Sequence, residues 1–154
     1  MKKKIDVGAG AFAEKIPDPI KKELCESAIA ARERSYCPYS QIAVGAALLC
    51  ADGSIYTGAN IENAAYSPSV CAERVAIFKA VYDGKRKFKS IAVAGGRAGE
   101  EVTGLFPPCG VCRQVLREFC GLDLMLYMAK ENGEFESRTL GEMLPLSFSG
   151  ADME

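Results

Sequence analysis

Three cysteines at two places in the chain have the types and spacing to do metal chemistry. Cys109 and Cys112 form a C-x-x-C directly after Pro108, and Cys71 lies in the stretch SVCAERVAIF (residues 69–78), closely followed by Glu73 and Arg74. Taken alone, the C-x-x-C is open among half of a zinc site, a thioredoxin-like redox pair and two inert core thiols. A structural zinc site takes four ligands, usually from two such knuckles. Cys25, Cys37, Cys50 and Cys120 supply no second knuckle, and burial as small hydrophobes is the expectation for them. With Cys71 added to the pair, three ligands become available. Zinc held by three protein ligands keeps a fourth position open, which is the arrangement of a catalytic rather than a structural site.

The chain contains no histidine. The commonest neutral-pH base and the commonest zinc ligand are therefore both missing. Any proton transfer falls to a carboxylate, Tyr, Lys or Cys, and a transition-metal site has to lean on thiolates. Both cysteine-bearing segments begin helical patterns, so the positive ends of two helix dipoles would favour the thiolate forms. Three thiolates around Zn²⁺ leave a formal charge of about −1. A neighbouring cation offsets that, and Arg74 or Arg113, each within three residues of a ligand, could donate to sulfur. Glu73, at the first turn of its helix, can face the open position and move the proton of a metal-activated water. Read on its own, Glu73 is an acidic residue in a helix's first turn, where any carboxylate is favourable.

Several elements must hold these residues. The pattern predicts a first helix from about Asp18, as N-cap with Pro19 at the first helical position, to about Arg34, with Ile20, Leu24, Ala28 and Ile29 as its apolar stripe. AVGAALLC (43–50) reads as a buried strand, Asp52-Gly53 as a turn and IYTGAN (55–60) as the second arm of a hairpin. The second helix is expected from about Val70 to Asp83-Gly84, with Val75, Ala76, Phe78, Val81 and Tyr82 forming its apolar face. SIAVAGG (90–96) reads as a central strand, and a loop leads to CGVCRQVLREF, where Val111, Val115, Leu116 and Phe119 recur at helical spacing. LDLMLYMA (122–129) is a further strand, Asn132-Gly133 a two-residue hairpin signal, and Thr139 with Glu142 a capping box for a short last helix. The order α-β-β-α-β-α-β-β-α predicts an α/β fold: a three-layer α/β/α sandwich with a mixed sheet of about five strands.

Length and composition set the outer bounds. A chain of 154 residues suits one domain, read here as 1–154 with 1–16 as a flexible N-terminal tail rather than a signal peptide. A net charge of −1 with no basic stripe argues against a nucleic acid polymer as partner. No window approaches 18 uninterrupted apolar residues, so no membrane span is expected. Seven cysteines without a secretion signal favour a reducing, cytoplasmic setting.

C-x-E followed by P-C-x-x-C is a signature of zinc nucleobase deaminases, in its all-cysteine variant. Beyond it, the blocks YCPYSQIAVGAALL, GANIENAAYS, CAERVAIFKAV, PCGVCRQVLREF and LPLSF, spanning residues 36–148 in order, closely resemble the small homotetrameric cytidine deaminases. The resemblance implies one Zn²⁺ per subunit on Cys71, Cys109 and Cys112, with Glu73 as proton shuttle. It implies sugar-hydroxyl contacts for Asn60 and a buried Glu62, and Arg74 as the arginine that moderates thiolate charge. It also implies that the backbone at Ala72 and Pro107 meets the pyrimidine's polar edge, and that Tyr66 and Phe148 line a neighbouring subunit's site in a homotetramer. Where the family usually has a Phe packing over the substrate, this sequence has Ile42, and where it usually has Ser or Thr before Pro108, this one has Pro107.

The activity so implied is hydrolysis of cytidine and deoxycytidine to uridine, deoxyuridine and ammonia, in pyrimidine salvage. Zinc-activated water attacks C4 and Glu73 moves the protons. An uncharged nucleoside needs no Lys or Arg clamp, and NIENAAY (60–66) carries none. Two other readings stay open: a blasticidin-S-type nucleoside deaminase, and a zinc-stabilised binding module without catalysis.

Overall fold

The computed structural model describes residues 16–154; the tail expected at 1–16 falls outside the described residues except for Ile16, which is buried. Helix α1 runs Asp18–Ala31. Its N-cap is Pro17 rather than the expected Asp18, and the Pro17 carbonyl accepts from the N–H groups of both Ile20 and Lys21. The α-helix stops earlier than the sequence suggests. Residues Arg32–Arg34 tighten into a 3₁₀ turn, where the buried Arg32 guanidinium donates to the carbonyls of Ala43, Arg97 and Glu100.

The remaining elements are β1 (Ile42–Cys50), β2 (Ile55–Ala59), α2 (Ala72–Tyr82), β3 (Phe88–Arg97), α3 (Gly110–Phe119), β4 (Met125–Ala129), β5 (Phe135–Thr139) and α4 (Leu140–Met143). They form one five-stranded sheet in the order β2-β1-β3-β4-β5. Only β3 and β4 pair in parallel, and the other neighbours are antiparallel. Side chains alternate across the sheet, so buried strands with apolar residues at every position serve two layers. Ala46, Leu48, Ile91, Val93 and Leu126 face α2 and α3, whereas Ala47, Leu49, Ala92, Ala94 and Tyr127 face α1. This is the expected three-layer α/β/α sandwich with a mixed sheet.

The topology decides where the helix starts lie. Because β2 and β3 are each antiparallel to β1, they run the same way, and β4 runs with them. Two crossovers of one hand, β2-α2-β3 and β3-α3-β4, progress in one direction along the sheet and so lie on one face. Both helix N-termini then emerge at the carboxyl ends of parallel strands.

Helix α2 keeps part of its predicted face, with Ala76 buried and Val75 and Val81 half-buried, but its two aromatics turn outward. Ala72, Ala76, Ile77 and Ala80 are buried, while Phe78 is 47% and Tyr82 91% exposed. The reason is closeness. A Cβ on Gly58 of β2 would lie 2.3 Å from the Ala72 carbonyl oxygen and 2.6 Å from the Ala76 nitrogen, so only an alanine stripe fits against this strand. On α3, Val111 is exposed and its neighbour Cys112 points inward with Leu116. The β4–β5 connection is also longer than a two-residue hairpin: it spans residues 130–134, with Gly133 at φ 84°. The Thr139–Glu142 capping box forms as expected.

Gly58→Ala should push α2 off the sheet and destabilise the fold by about 1–3 kcal/mol, as overpacking typically does. Gly104→Ala, which meets open space, should stay within about 0.5 kcal/mol. Urea unfolding midpoints of the two variants check this.

Candidate active site

Cys71 is the N-cap of α2 and Cys109 the N-cap of α3; neither uses its side chain as a cap. Both thiols are therefore free to point across the gap between the two helix starts, and Cys112, in the first turn of α3, points the same way. The three sulfurs lie within 4.8 Å of one another, and Cys71 Sγ is 3.7 Å from Cys109 Sγ. Tetrahedral zinc with bonds of about 2.3 Å sets its sulfurs about 3.8 Å apart, so the cluster fits that ion. Cys112 is buried, Cys71 is half-buried and Cys109 is exposed.

Charge in the cluster is uneven. A hydrogen bond from Cys112 and another from Arg74 hold the Cys71 thiol down to about 5, against burial. Cys112, as the donor of the pair, is pushed up. Arg74 Nη2 lies 3.4 Å from Cys71 Sγ. Arg113, the other cation expected near sulfur, turns away and donates to the carbonyls of Pro108 at 2.8 Å and Met143 at 2.7 Å.

Glu73 is 2% exposed, and its Oε2 lies 3.7 Å from Cys112 Sγ. Burial pushes its carboxyl up to about 7. A carboxylic acid so placed exchanges protons near neutral pH, which is what a general acid–base needs.

The segment expected to hold the sugar lies alongside. Asn60 is buried directly after β2, and its side chain extends the β1–β2 pairing: Oδ1 accepts from Val44 N at 2.8 Å and Nδ2 donates to Ile42 O at 2.8 Å. Each of these atoms keeps capacity for one more partner. Glu62 is half-buried rather than buried. Its Oε1 accepts from the N–H groups of Tyr39 and Ser40, and hydrogen bonds from Ser40 hold the carboxyl below its ordinary range. Ile42 opens β1, half-buried against the α2–α3 side of the core. Ala72 is buried at the first position of α2, and Pro107 is exposed beside the buried Pro108.

Tyr66 is 70% exposed with φ 57°, its ring edge-on to Tyr39 with centroids 6.0 Å apart, and Phe148 is 59% exposed. Of the other four cysteines, Cys25, Cys50 and Cys120 are buried as expected, while Cys37 is only partly so.

The family model for the cytidine and deoxycytidylate deaminase zinc-binding region matches residues 19–128. The chain belongs to this deaminase family. Among its relatives is a cytidine deaminase of Sporosarcina psychrophila, 50% identical over 80% of this chain and 87% of the relative. A crystal structure of cytidine deaminase from Burkholderia pseudomallei superposes with a TM-score of 0.75 at 42% identity, covering 82% of this chain and 97% of that one. A blasticidin-S deaminase of Bacillus cereus is more distant, 30% identical over 69% of this chain and 76% of its own length. As a member of the family the chain is a zinc-dependent deaminase, and the three-cysteine cluster is the one group among the described residues arranged to hold the metal. No helix among the described residues is long and apolar enough to cross a membrane.

Sequence reasoning missed the double engagement of Asn60 with β1 and the turn of Arg113 away from sulfur. Neither carries a signal in spacing or composition. Asn60→Ala should leave the Val44 N–H and the Ile42 carbonyl unpaired and cost about 1–3 kcal/mol. Asn60→Asp should not restore this, because a carboxylate accepts from Val44 but cannot donate to Ile42. Equilibrium urea unfolding of the two variants is the measurement.

Proposed function

We propose that this chain hydrolytically deaminates cytidine and deoxycytidine to uridine and deoxyuridine, releasing ammonia, as one domain spanning residues 1–154. The observation that carries this reading is the Glu73 carboxyl, buried beside the three convergent cysteine sulfurs and poised near neutrality. Cys71, Cys109 and Cys112 would hold one zinc ion per chain, which supplies an activated water when bound. Glu73 takes the proton of the attacking water, gives it to N3 of the ring, and later carries a proton to the amino nitrogen as ammonia leaves. The Ala72 backbone binds the pyrimidine's polar edge, and the exposed Pro107 carbonyl accepts from the departing amine, a role that Pro performs as well as Ser or Thr. Arg74 offsets the charge of Cys71.

Asn60 and Glu62 receive the sugar hydroxyls. Glu62 does so with Oε2, since Oε1 is taken by Tyr39 and Ser40. Ile42 covers the base with an aliphatic rather than an aromatic side chain. Tyr66 and Phe148, both turned outward, line the sites of neighbouring subunits in a homotetramer. The likeness to cytidine deaminases over most of the chain supports this substrate over blasticidin S, and a buried carboxyl beside the metal ligands supports catalysis over a binding module. The enzyme works in the cytoplasm, in pyrimidine salvage.

Ultraviolet monitoring should show conversion of cytidine and deoxycytidine by the purified protein, with blasticidin S turned over poorly. Glu73→Gln should keep about one zinc per chain while turnover falls by roughly 10²–10⁴. Full activity in that variant would sink the mechanism, and an unchanged spectrum with wild-type protein would leave the binding-module reading in its place.

A further inference from the structure

The turn that carries Cys109 has few means of its own to hold a shape. Residues 107 and 108 are both proline, so neither has an N–H to donate. The turn has no regular secondary structure, and Cys109 at its end is exposed. A metal ligand so placed is only as well positioned as the contacts that brace the segment, and two stand out.

Beneath the turn, Phe106 lies against bare backbone. A Cβ on Gly95 of β3 would fall 2.4 Å from the Phe106 ring, so this ring sits where only glycine leaves room. From the other side, Arg113 Nε donates to the Pro108 carbonyl at 2.8 Å while Nη1 donates to the Met143 carbonyl at 2.7 Å. Met143 ends α4, whose start is locked by the Thr139–Glu142 capping box. Arg113 is also the residue directly after Cys112, so one helical turn presents both a ligand and a brace for the other ligand.

We propose that Arg113 is a positioning residue of the metal centre, a strut that bridges the Pro108 and Met143 carbonyls and so fixes Cys109 and the Pro107 carbonyl relative to Cys112. This rests on the reading that the three cysteines hold the metal. Two carbonyls at once call for a planar fork of donors, and a lysine ammonium, a single point on a flexible stem, does not reproduce it. The neighbouring contacts of α3 provide an internal control. Arg117 Nε donates to Ser147 Oγ at 3.1 Å, holding the C-terminal segment to the same helix without touching the turn.

The experiment compares wild type, Arg113→Gln, Arg113→Lys and Arg117→Gln by chelator competition for zinc and by the visible spectrum of the cobalt-loaded protein, alongside kcat and KM. Both Arg113 variants should bind zinc roughly 10–100-fold more weakly, the scale seen when groups that orient metal ligands are removed. Their cobalt bands should shift, and kcat should fall more than KM rises. Arg117→Gln should keep wild-type metal affinity. Should Arg113→Gln fail to fold, Arg113→Lys decides the matter. Wild-type affinity and an unshifted cobalt spectrum in the Arg113 variants would overturn the strut, even if their melting temperatures drop. Equal loss of affinity in Arg117→Gln would overturn it too, because general loosening of α3 would then explain the effect. A wild-type protein that binds no metal would instead remove the metal-centre reading on which the strut rests.

Discussion

Three sulfur atoms from two helix starts must meet within a few ångströms, and most of the fold follows from meeting that demand. Helices α2 and α3 have to lie on one face of the sheet with their first turns level. Same-handed crossovers between strands that run in one direction achieve this. The antiparallel β1 between β2 and β3 sets the spacing. The alanine stripe of α2 against Gly58 then brings Cys71 down to the sheet, close enough to reach Cys109. A bulkier residue at any of these contacts would move a ligand, not merely a helix.

The electrostatics of the site follow from the same convergence. Clustered thiols repel when ionised, and two helix N-termini together with Arg74 counter that repulsion. Glu73 feels the opposite pressure: desolvation and the neighbouring thiolate both favour its protonated form. One turn therefore holds a stabilised thiolate, half-buried, and a buried, raised carboxyl two residues apart. In a chain without histidine, that contrast puts a carboxyl raised to about 7 beside the three clustered cysteines.

Outside the helices, side chain–backbone bonds give shape to irregular segments. Asn60 splices onto the start of β1, Glu62 gathers the backbone at Tyr39 and Ser40, and Arg113 bridges two carbonyls on either side of it. Asn60 and Glu62 are also the proposed sugar contacts. Their double engagement means that the groups meeting the ligand have orientations set in advance, which lowers the entropic cost of binding.

Much of this was legible in the chain itself, for physical reasons. Spacing rules constrain residues on one element, so Cys109-x-x-Cys112, the Cys71–Glu73–Arg74 turn and the Thr139–Glu142 box could be read directly. Strands buried on both faces announced a layered sheet through their unbroken apolar runs, and the missing histidine left proton transfer to a carboxylate, Tyr, Lys or Cys and turned any transition-metal site towards thiolates. The tertiary structure decided what depends on neighbours distant in sequence. Whether Arg74 or Arg113 meets sulfur turns on where α4 places the Met143 carbonyl. That Ala76 of the predicted face is buried while Phe78 is not turns on how closely Gly58 admits the helix, since large apolar residues are buried only where room exists. The two uses of Asn60 arise because the end of β2 stops opposite two unpaired groups of β1. Local pattern determined which residues were equipped for the chemistry; packing at close range determined which of them could reach it.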